Sequence, residues 1–337
     1  MTPLPDSIGK SWQLIALSRE VKAKALARTL AGAPIVLFRA GGRAVAFEDR
    51  CPHRNYPLSL GRVEKDGLQC AYHGWRFDAD GRCVEAPGCT LGDGEAARFS
   101  AFPLKTIEKN GGVFVRLSSH GPDDLHDLGE WGGDGHDHFW WDQGVWRGRA
   151  LDAVENVLDP FHTNFIHHGF IRRHDRRLPV DLTTRVFEDG IEQVIEQKTP
   201  DLGWMSKALE PDRQRSRTRL YAPTTIQARW EGRDKLTLCV TAFFTPVTET
   251  SFRPFACFTT PRGRGPGWLK QAAIRSFLEP VVAQDRRALA HQLGAIEAFG
   301  GPRFQQGPGD LLGGRVARLY QGEKLEPCEE GPFARTL

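Results

Sequence analysis

The sequence contains no apolar run long enough to cross a membrane and no strong excess of charge of either sign. Its longest apolar stretch, residues 236–244, is interrupted by Thr237 and Thr241 and is far shorter than the ~18 residues of a membrane span. The formal net charge of +3 is too small to indicate a nucleic-acid partner. The first residues lack the basic segment and apolar core of a secretory signal. We therefore expect a cytoplasmic protein that binds neither membranes nor nucleic acid.

Cysteine is scarce, with 7 residues scattered over a chain of 337. An odd number of dispersed cysteines fits reduced thiols better than a disulfide framework, although a single pair between Cys83 and Cys89 is an alternative. A dinucleotide motif is lacking too, because residues 92–97 match G-x-G-x-x-A but follow no predicted strand. We expect that this chain itself binds neither NAD nor flavin.

Turn residues divide the chain into two predicted domains and a connecting segment. Residues 1–118 carry short strand-like runs around Gly41-Gly42 and Asn110-Gly111, which is typical of β-hairpins. Residues 119–138 are rich in Gly, Asp and His with little apolar pattern, as in a linker or exposed loop. Residues 139–337 mix longer strands with helical patterns, so periodicity alone predicts an α+β domain.

The helical patterns of the second domain are interrupted once by proline. Apolar spacing predicts one helix over residues 268–278 and another over residues 281–299, with Pro280 between them. Proline removes a backbone donor and is expected to end a helix. Two separate helices are therefore predicted here.

Four residues near the front of the chain have the spacing needed to hold a two-iron, two-sulfur cluster. They are Cys51, His53, Cys70 and His73, in a C-x-H pair and a C-x-x-H pair. In such a cluster two thiolates hold one iron and two imidazoles hold the other. Zinc is the alternative, but zinc sites with two Cys and two His usually place the cysteines in one pair. The pattern therefore predicts a cluster that transfers single electrons.

A second set of metal ligands is predicted by the pattern D-x-x-H-x-x-x-x-H at Asp159, His162 and His167. Apolar residues recur around it at helical spacing, so we expect an amphipathic helix. The two histidines are five residues apart, about 140° round an ideal helix. Both can reach one metal only if the helix is distorted, and Pro160 favours such an irregularity. His168 is an alternative to His167.

Two histidines and one carboxylate form the facial triad of mononuclear iron sites that activate dioxygen. Our candidate for the carboxylate is Asp285, at the start of an apolar-periodic segment, with Glu279 and then Asp310 as alternatives.

The loops CPHR (51–54) and CAYHGW (70–75) resemble those of Rieske non-haem iron oxygenases. Asp285 followed by Gln292 is similar to the D-x6-Q around the third iron ligand of that family. The segment ENVLDPFHTNFIH (155–167) resembles the single-subunit aromatic O- and N-demethylases of the vanillate and dicamba demethylase type.

The resemblance implies an N-terminal all-β Rieske 2Fe-2S domain (1–118), a linker (119–138) and a catalytic domain (139–337). In the catalytic domain a curved antiparallel sheet would wrap a long helix, as in the helix-grip or START-like fold. It also implies a homotrimer, in which Asp159 connects His73 of one chain to His162 of the next. Asn156 corresponds to a position near the iron.

The function that the resemblance implies is that of a terminal oxygenase with a Rieske cluster, mononuclear Fe(II) and dioxygen as co-substrate. A separate NAD(P)H-driven reductase or ferredoxin would supply electrons, and the basic run of Arg172, Arg173, Arg176 and Arg177 is a candidate docking surface. The expected reaction is O- or N-demethylation or hydroxylation of a small aromatic or cyclic substrate. Ring dihydroxylation is one alternative, and an electron carrier without oxygenase activity is another.

Overall fold

A computed structural model of the protein describes residues 3–92, 94, 98–129, 131, 135–167, 179–197, 214–232, 236–263, 266–307, 309–310, 312 and 314–337. The chain divides into two compact units. One spans Ile8–Leu125, and the other spans His126–Leu337 with the chain start up to Ser7. The domain bounds given above stay a prediction. The predicted linker differs from the structure at its end, because His136–Asp142 forms a strand.

The first unit consists of short antiparallel strands, as its turn signals predict. Its strands are β1 (Gln13–Leu17), β2 (Leu26–Leu30), β3 (Ala33–Ala40), β4 (Arg43–Glu48), β5 (Arg62–Glu64), β6 (Gly67–Gln69), β7 (Arg76–Phe77), β8 (Cys83–Glu85), β9 (Pro103–Lys109) and β10 (Gly112–Arg116), and helix α1 (Asp6–Lys10) precedes β1. Among the described residues, six strands form one sheet in the order β1-β10-β9-β4-β3-β2, and four form another in the order β5-β6-β7-β8.

The two predicted hairpins of this unit are present. Gly41 and Gly42 connect β3 to β4, and Asn110 and Gly111 connect β9 to β10. All four residues have positive φ, which tight hairpin turns require. One cluster of buried side chains combines residues from strands of both sheets with both predicted cluster cysteines, Cys51 and Cys70. The sheets therefore form a scaffold around the predicted cluster loops.

The second unit contains one antiparallel sheet and three helices among its described residues. Its strands are β11 (His136–Asp142), β12 (Trp146–Arg147), β13 (Pro179–Phe187), β14 (Gly190–Gln197), β15 (Arg215–Tyr221), β16 (Thr225–Glu231), β17 (Leu236–Thr248), β18 (Ser251–Pro261) and β19 (Cys328–Thr336). The helices are α2 (Ala150–Leu158), α3 (Gly267–Ala298) and α4 (Arg315–Tyr320). The strand order is β11-β18-β17-β16-β15-β14-β13-β19, with β12 beside β18. An all-β unit followed by an α+β unit confirms the predicted fold class.

The long helix packs on one end of this sheet. Ile274 and Leu278 of α3 contact a cluster of buried residues that includes Phe139, Ala256 and Phe258. None of the helices in the described ranges has the length and apolar content that crossing a membrane requires.

The prediction of two helices separated by Pro280 is wrong. Helix α3 is continuous over 32 residues and contains Pro280 in its interior. The missing backbone hydrogen bond costs about 3 kcal/mol, and burial of Val281, Leu289 and Leu293 on the following turns offsets it. Tertiary packing, which the local pattern does not contain, keeps the helix intact.

Candidate metal centres

The two cysteine–histidine loops of the first unit have the same backbone hydrogen bonds. In each loop the cysteine N–H donates to the carbonyl five residues later, and the cysteine carbonyl accepts the N–H four residues later. The pairs are Cys51 with Tyr56 and Asn55, and Cys70 with Trp75 and Gly74. The residue four positions after the cysteine has a positive φ in both loops, +54° at Asn55 and +75° at Gly74. Asparagine and glycine adopt this left-handed conformation most readily.

This frame brings the two thiols together and the two imidazoles together. Cys51 and Cys70 are each 2% exposed, and the Cys70 side chain is close enough to the Cys51 thiol to raise its pKa. The ring centroids of His53 and His73 lie 4.6 Å apart, and Trp75 stacks on His53 with an interplanar angle of 2°. The Nδ1 atom of His53 is buried and has no hydrogen-bond partner. Paired sulfurs, paired imidazoles and an unpartnered ring nitrogen fit a 2Fe-2S cluster with two ligands of each kind.

Burial, reinforced by the neighbouring Cys70, raises the pKa of the Cys51 thiol to about 11. Burial lowers the pKa of His53, as does the adjacent His73. The cluster requires thiolates and neutral imidazoles. The lowered pKa favours the neutral form of His53 that the cluster needs, whereas the raised pKa of Cys51 means that cluster insertion must release the proton of this thiol.

The second ligand set lies where helix α2 ends. The helix stops at Leu158, and a 3-10 turn, Phe161–Asn164, follows after Pro160. The predicted amphipathic helix therefore ends before the two histidines, and the irregularity expected at Pro160 takes the form of this 3-10 turn. Proline after the last helical residue prevents the helix from continuing. The tighter turn changes the angular separation of His162 and His167, so both imidazoles lie on one side.

His162, His167 and Asp285 are brought together by this turn and helix α3. The Oδ1 atom of Asp285 lies 3.1 Å from Nε2 of His167 and 3.8 Å from Nε2 of His162. All three ligand atoms lie within 4.8 Å of one another. Ligands about 2.1 Å from a metal and at right angles are about 3 Å apart. The distance from Asp285 to His167 fits this value, and the distance from Asp285 to His162 is somewhat longer. Two imidazoles and one carboxylate are the donors of the mononuclear iron triad.

Each imidazole is oriented through its other nitrogen. Nδ1 of His162 donates to the backbone carbonyl of Asp159 at 2.6 Å, and Nδ1 of His167 donates to Oε1 of Gln284 at 3.0 Å. In a neutral imidazole that donates through Nδ1, Nε2 is the unprotonated nitrogen and is available to a metal. Burial lowers the pKa of His162 by more than Asp285 raises it. Burial also acts on His167, but hydrogen bonds with Asp285 and Gln284 raise its pKa overall.

Asp159 and Asn156, predicted to assist the iron site, both border it. Nδ2 of Asn156 donates to Oδ1 of Asp285 at 3.1 Å. The Asp159 carboxylate accepts the N–H of Phe161 at 2.9 Å and so stabilises the start of the 3-10 turn. Within one chain, the contact from Asp159 to His162 is made by its backbone carbonyl rather than by its carboxylate.

The two alternative carboxylates, Glu279 and Asp310, do not lie with both histidines. Glu279 has a side chain that is 63% exposed and pairs with Arg275, and the Asp310 carboxylate accepts the N–H of Gly307. Among the described residues, neither belongs to the group that includes both histidines. His168 and the basic run at 172–177 lie outside the described residues. Cys83 and Cys89 are both free thiols.

Gln284 was not predicted from the sequence. It precedes Asp285 and carries no charge, and its partner His167 is more than a hundred residues away in the chain. Only the packing of α3 against the 3-10 turn brings the two side chains together. Its adjacency to a predicted carboxylate ligand was the one signal that sequence offered.

We expect Gln284→Leu to weaken ferrous iron binding about 10- to 100-fold, the range typical of residues that orient metal-bound imidazoles. Chelator competition at increasing concentration measures this directly. Gln284→Glu keeps an acceptor oxygen and should bind iron nearly normally. The matched control is Gln292→Leu, on an exposed position of the same helix. Equal iron affinity in all variants would show that Gln284 does not orient His167.

Two family matches together span most of the chain. Residues 11–99 match the Rieske 2Fe-2S domain, and residues 146–306 match the vanillate O-demethylase oxygenase C-terminal domain. The first match contains both cluster loops. The second contains the three residues that meet at the predicted iron site.

Curated relatives match about half of the chain. The putative iron-sulfur subunit of the toluene-4-sulfonate monooxygenase system of Comamonas testosteroni is 36% identical over 48% of this chain and 46% of its own length. The 5,5'-dehydrodivanillate O-demethylase oxygenase subunit of a Sphingobium species is 30% identical over 51% and 42%, respectively. The chain thus spans about half the length of these relatives.

The fold is shared with a solved structure. Dicamba monooxygenase bound to dicamba superposes with a TM-score of 0.80 over 93% of this chain and 98% of that chain, at 22% sequence identity. This likeness extends over both units. Since both of its domains match in this order, the chain belongs to the Rieske oxygenases with a catalytic domain of the vanillate O-demethylase type.

Proposed function

We propose that this protein is the terminal oxygenase of a multicomponent Rieske system that monooxygenates a small aromatic or cyclic substrate. The observation that carries the proposal is the convergence of His162, His167 and Asp285, whose three ligand atoms lie within 4.8 Å of one another. A protein that only carried electrons would need the cluster loops alone. The second donor set has no role in such a carrier.

Cys51, His53, Cys70 and His73 would hold the cluster, which would supply single electrons, and His162, His167 and Asp285 would hold the iron, which would supply dioxygen activation. The residues of this chain prepare that chemistry. Gln284 and the carbonyl of Asp159 fix the imidazole tautomers, and Asn156 donates to Asp285. Three protein ligands leave other coordination positions free.

The preferred reaction is O- or N-demethylation, in which hydroxylation of a methyl group gives a product that releases formaldehyde. The match to the vanillate O-demethylase C-terminal domain supports it, as does one relative named as an O-demethylase. Ring dihydroxylation is the alternative within the same enzyme class. Electrons come from a separate reductase or ferredoxin, and the functional unit is a homotrimer.

Iron analysis tests the proposal against the electron-carrier alternative. An oxygenase with both centres contains about three irons per chain, and a carrier contains about two. Substrate-dependent oxygen uptake with methoxylated aromatics and N-methyl compounds then tests the reaction. Formaldehyde release distinguishes demethylation from attack on the ring. Two irons per chain after anaerobic reconstitution would rule out the oxygenase.

A further inference from the structure

One face of the catalytic sheet is directed toward the helices and the predicted iron site. Successive side chains of a strand point to opposite faces, so the direction of a few residues fixes that of the rest. Leu182 of β13 and Ile195 of β14 contact Phe161, which adjoins His162. Val240 of β17 lies on the same face by strand register and packs with residues of α3. We call this the inner face.

A short polar row crosses this largely apolar face. Strand register places Thr184 directly opposite Gln193, and Gln193 directly opposite Thr218. Along the same row the next residues are Ala228 and then Val240. The row is therefore polar on β13 to β15 and apolar beyond them. The neighbouring row, two residues away along each strand, contains the pair Leu182 and Ile195 that contacts Phe161.

The polar side chains of this row are buried and incompletely satisfied. Thr184 is 0% exposed and Gln193 is 3% exposed. Neither Oγ1 of Thr184 nor Oε1 of Gln193 has a hydrogen-bond partner. Oδ1 of Asn164, in the 3-10 turn next to His162, is also buried without a partner. Buried polar groups almost always have partners, so three in one region indicate a ligand that supplies them.

The polar row lies next to the strand residues that contact Phe161, the neighbour of His162 in the chain. Phe161 and Asn164 are three residues apart in a 3-10 turn, where side chains at this spacing eclipse. Asn164 therefore lies on the side of the turn from which Phe161 contacts Leu182 and Ile195. Thr184 and Gln193 are each two residues along their strands from those contacts, about 7 Å away. A small ring compound spans such a distance.

The charges of these strands are on the other face. Arg185, Arg215 and Arg217 alternate with the inner-face residues and pair with glutamates. In the described residues of β13 to β16, no lysine or arginine has the register of the inner face. Arg335 of the edge strand β19 is opposite Val180 and so belongs to the inner face. Its guanidinium, however, lies over the ring of Phe333. Glu330 of β19 lies directly opposite Thr184 and pairs with Arg315. A buried carboxylate or sulfonate beside Thr184 would therefore approach a carboxylate rather than a free cation.

We propose that Thr184 and Gln193 bind an uncharged hydrogen-bonding group of the substrate, a hydroxyl or an N–H, with Asn164 as a third contact. Two of the three unpartnered atoms are amide oxygens, which accept hydrogen bonds, so the ligand group must donate. A carboxylate or sulfonate can only accept hydrogen bonds. Its binding at this row is therefore disfavoured both by its charge and by its lack of a hydrogen-bond donor. This inference rests on the proposed oxygenase function and assigns the substrate class of its site.

Three probes of similar shape test the assignment: 3-methoxybenzamide, 3-methoxybenzoate and methoxybenzene. Binding to the anaerobic holoenzyme is measured by calorimetry. The amide is expected to bind at least about tenfold more tightly than the other two, the effect of about one well-made buried hydrogen bond. Weaker binding of the amide than of the benzoate, or no binding of any probe, overturns the proposal.

Variants of matched shape identify the residues. Thr184→Val and Gln193→Met should each weaken amide binding about tenfold and leave methoxybenzene binding unchanged. Because each change removes an unsatisfied buried group, the melting temperature of the ligand-free protein should not fall. The control is Thr183→Val, the same change one residue away on the opposite face. Lower melting temperatures with unchanged amide binding would assign these residues a structural role instead.

The proposed function is tested separately from the substrate class. If the probes bind in the predicted order but none of them supports oxygen uptake, the proposed oxygenase function is contradicted and the proposed substrate contact is not. If the benzoate supports faster oxygen uptake than the amide, the proposed substrate contact is contradicted and the proposed oxygenase function is not.

Discussion

Asp285→Ala is expected to lose the mononuclear iron and retain the Rieske cluster. Iron content should fall from about three to about two per chain, while the visible absorption of the cluster is unchanged. Substrate-dependent oxygen uptake should fall to the background rate. Atomic absorption, the visible spectrum and an oxygen electrode measure the three quantities on the same sample.

The size of this effect follows from the position of one carboxylate oxygen. Oδ1 of Asp285 is 3.1 Å from the nearer imidazole nitrogen and 3.8 Å from the other. Its removal leaves only two neutral imidazoles, which do not form the facial triad that holds ferrous iron. The cluster should be unaffected, since its ligands belong to the separate unit Ile8–Leu125.

Glu279→Ala is the matched control, because it removes a carboxylate six residues earlier in the same helix. Its side chain is 63% exposed, so the variant should keep three irons per chain and normal oxygen uptake. A full iron complement in Asp285→Ala would instead identify another acid as the third ligand.

The hairpins could be predicted from the sequence, and the cluster loops could be proposed from it, because both depend on short-range chemistry. Gly41-Gly42 and Asn110-Gly111 adopt positive φ for local steric reasons. The spacing of Cys51, His53, Cys70 and His73 needs only two loops. These features do not depend on how distant segments pack.

Features that depend on long-range packing were predicted less well. Asp285, Glu279 and Asp310 all remained candidates, because only the position of α3 relative to His167 distinguishes them. The inward direction of Thr184 and Gln193 was not predicted either, since a register shift of one residue would reverse both. Pro280 indicated a helix end locally, yet packing against the sheet keeps α3 continuous.

Asp159→Asn should keep both metal centres and lose most turnover, by about 100-fold, the upper end for residues around metal ligands. The resemblance to Rieske oxygenases assigns this carboxylate to the link between the cluster of one chain and the iron site of the next. The substitution removes its charge and little else. An asparagine oxygen can still accept the N–H of Phe161, and the backbone carbonyl that holds His162 is unchanged.

Three measurements separate a role in electron transfer from a role in assembly. Iron content and the cluster spectrum should match the unmodified protein, and the rate at which the reduced cluster reoxidises with substrate and oxygen should fall in parallel with turnover. The control is Asp127→Asn, because Asp127 accepts the N–H two residues later, as Asp159 does, at an exposed position. Normal turnover in Asp159→Asn at saturating reductase would remove Asp159 from the link. Loss of iron in that variant would show that its carboxylate serves the iron site itself.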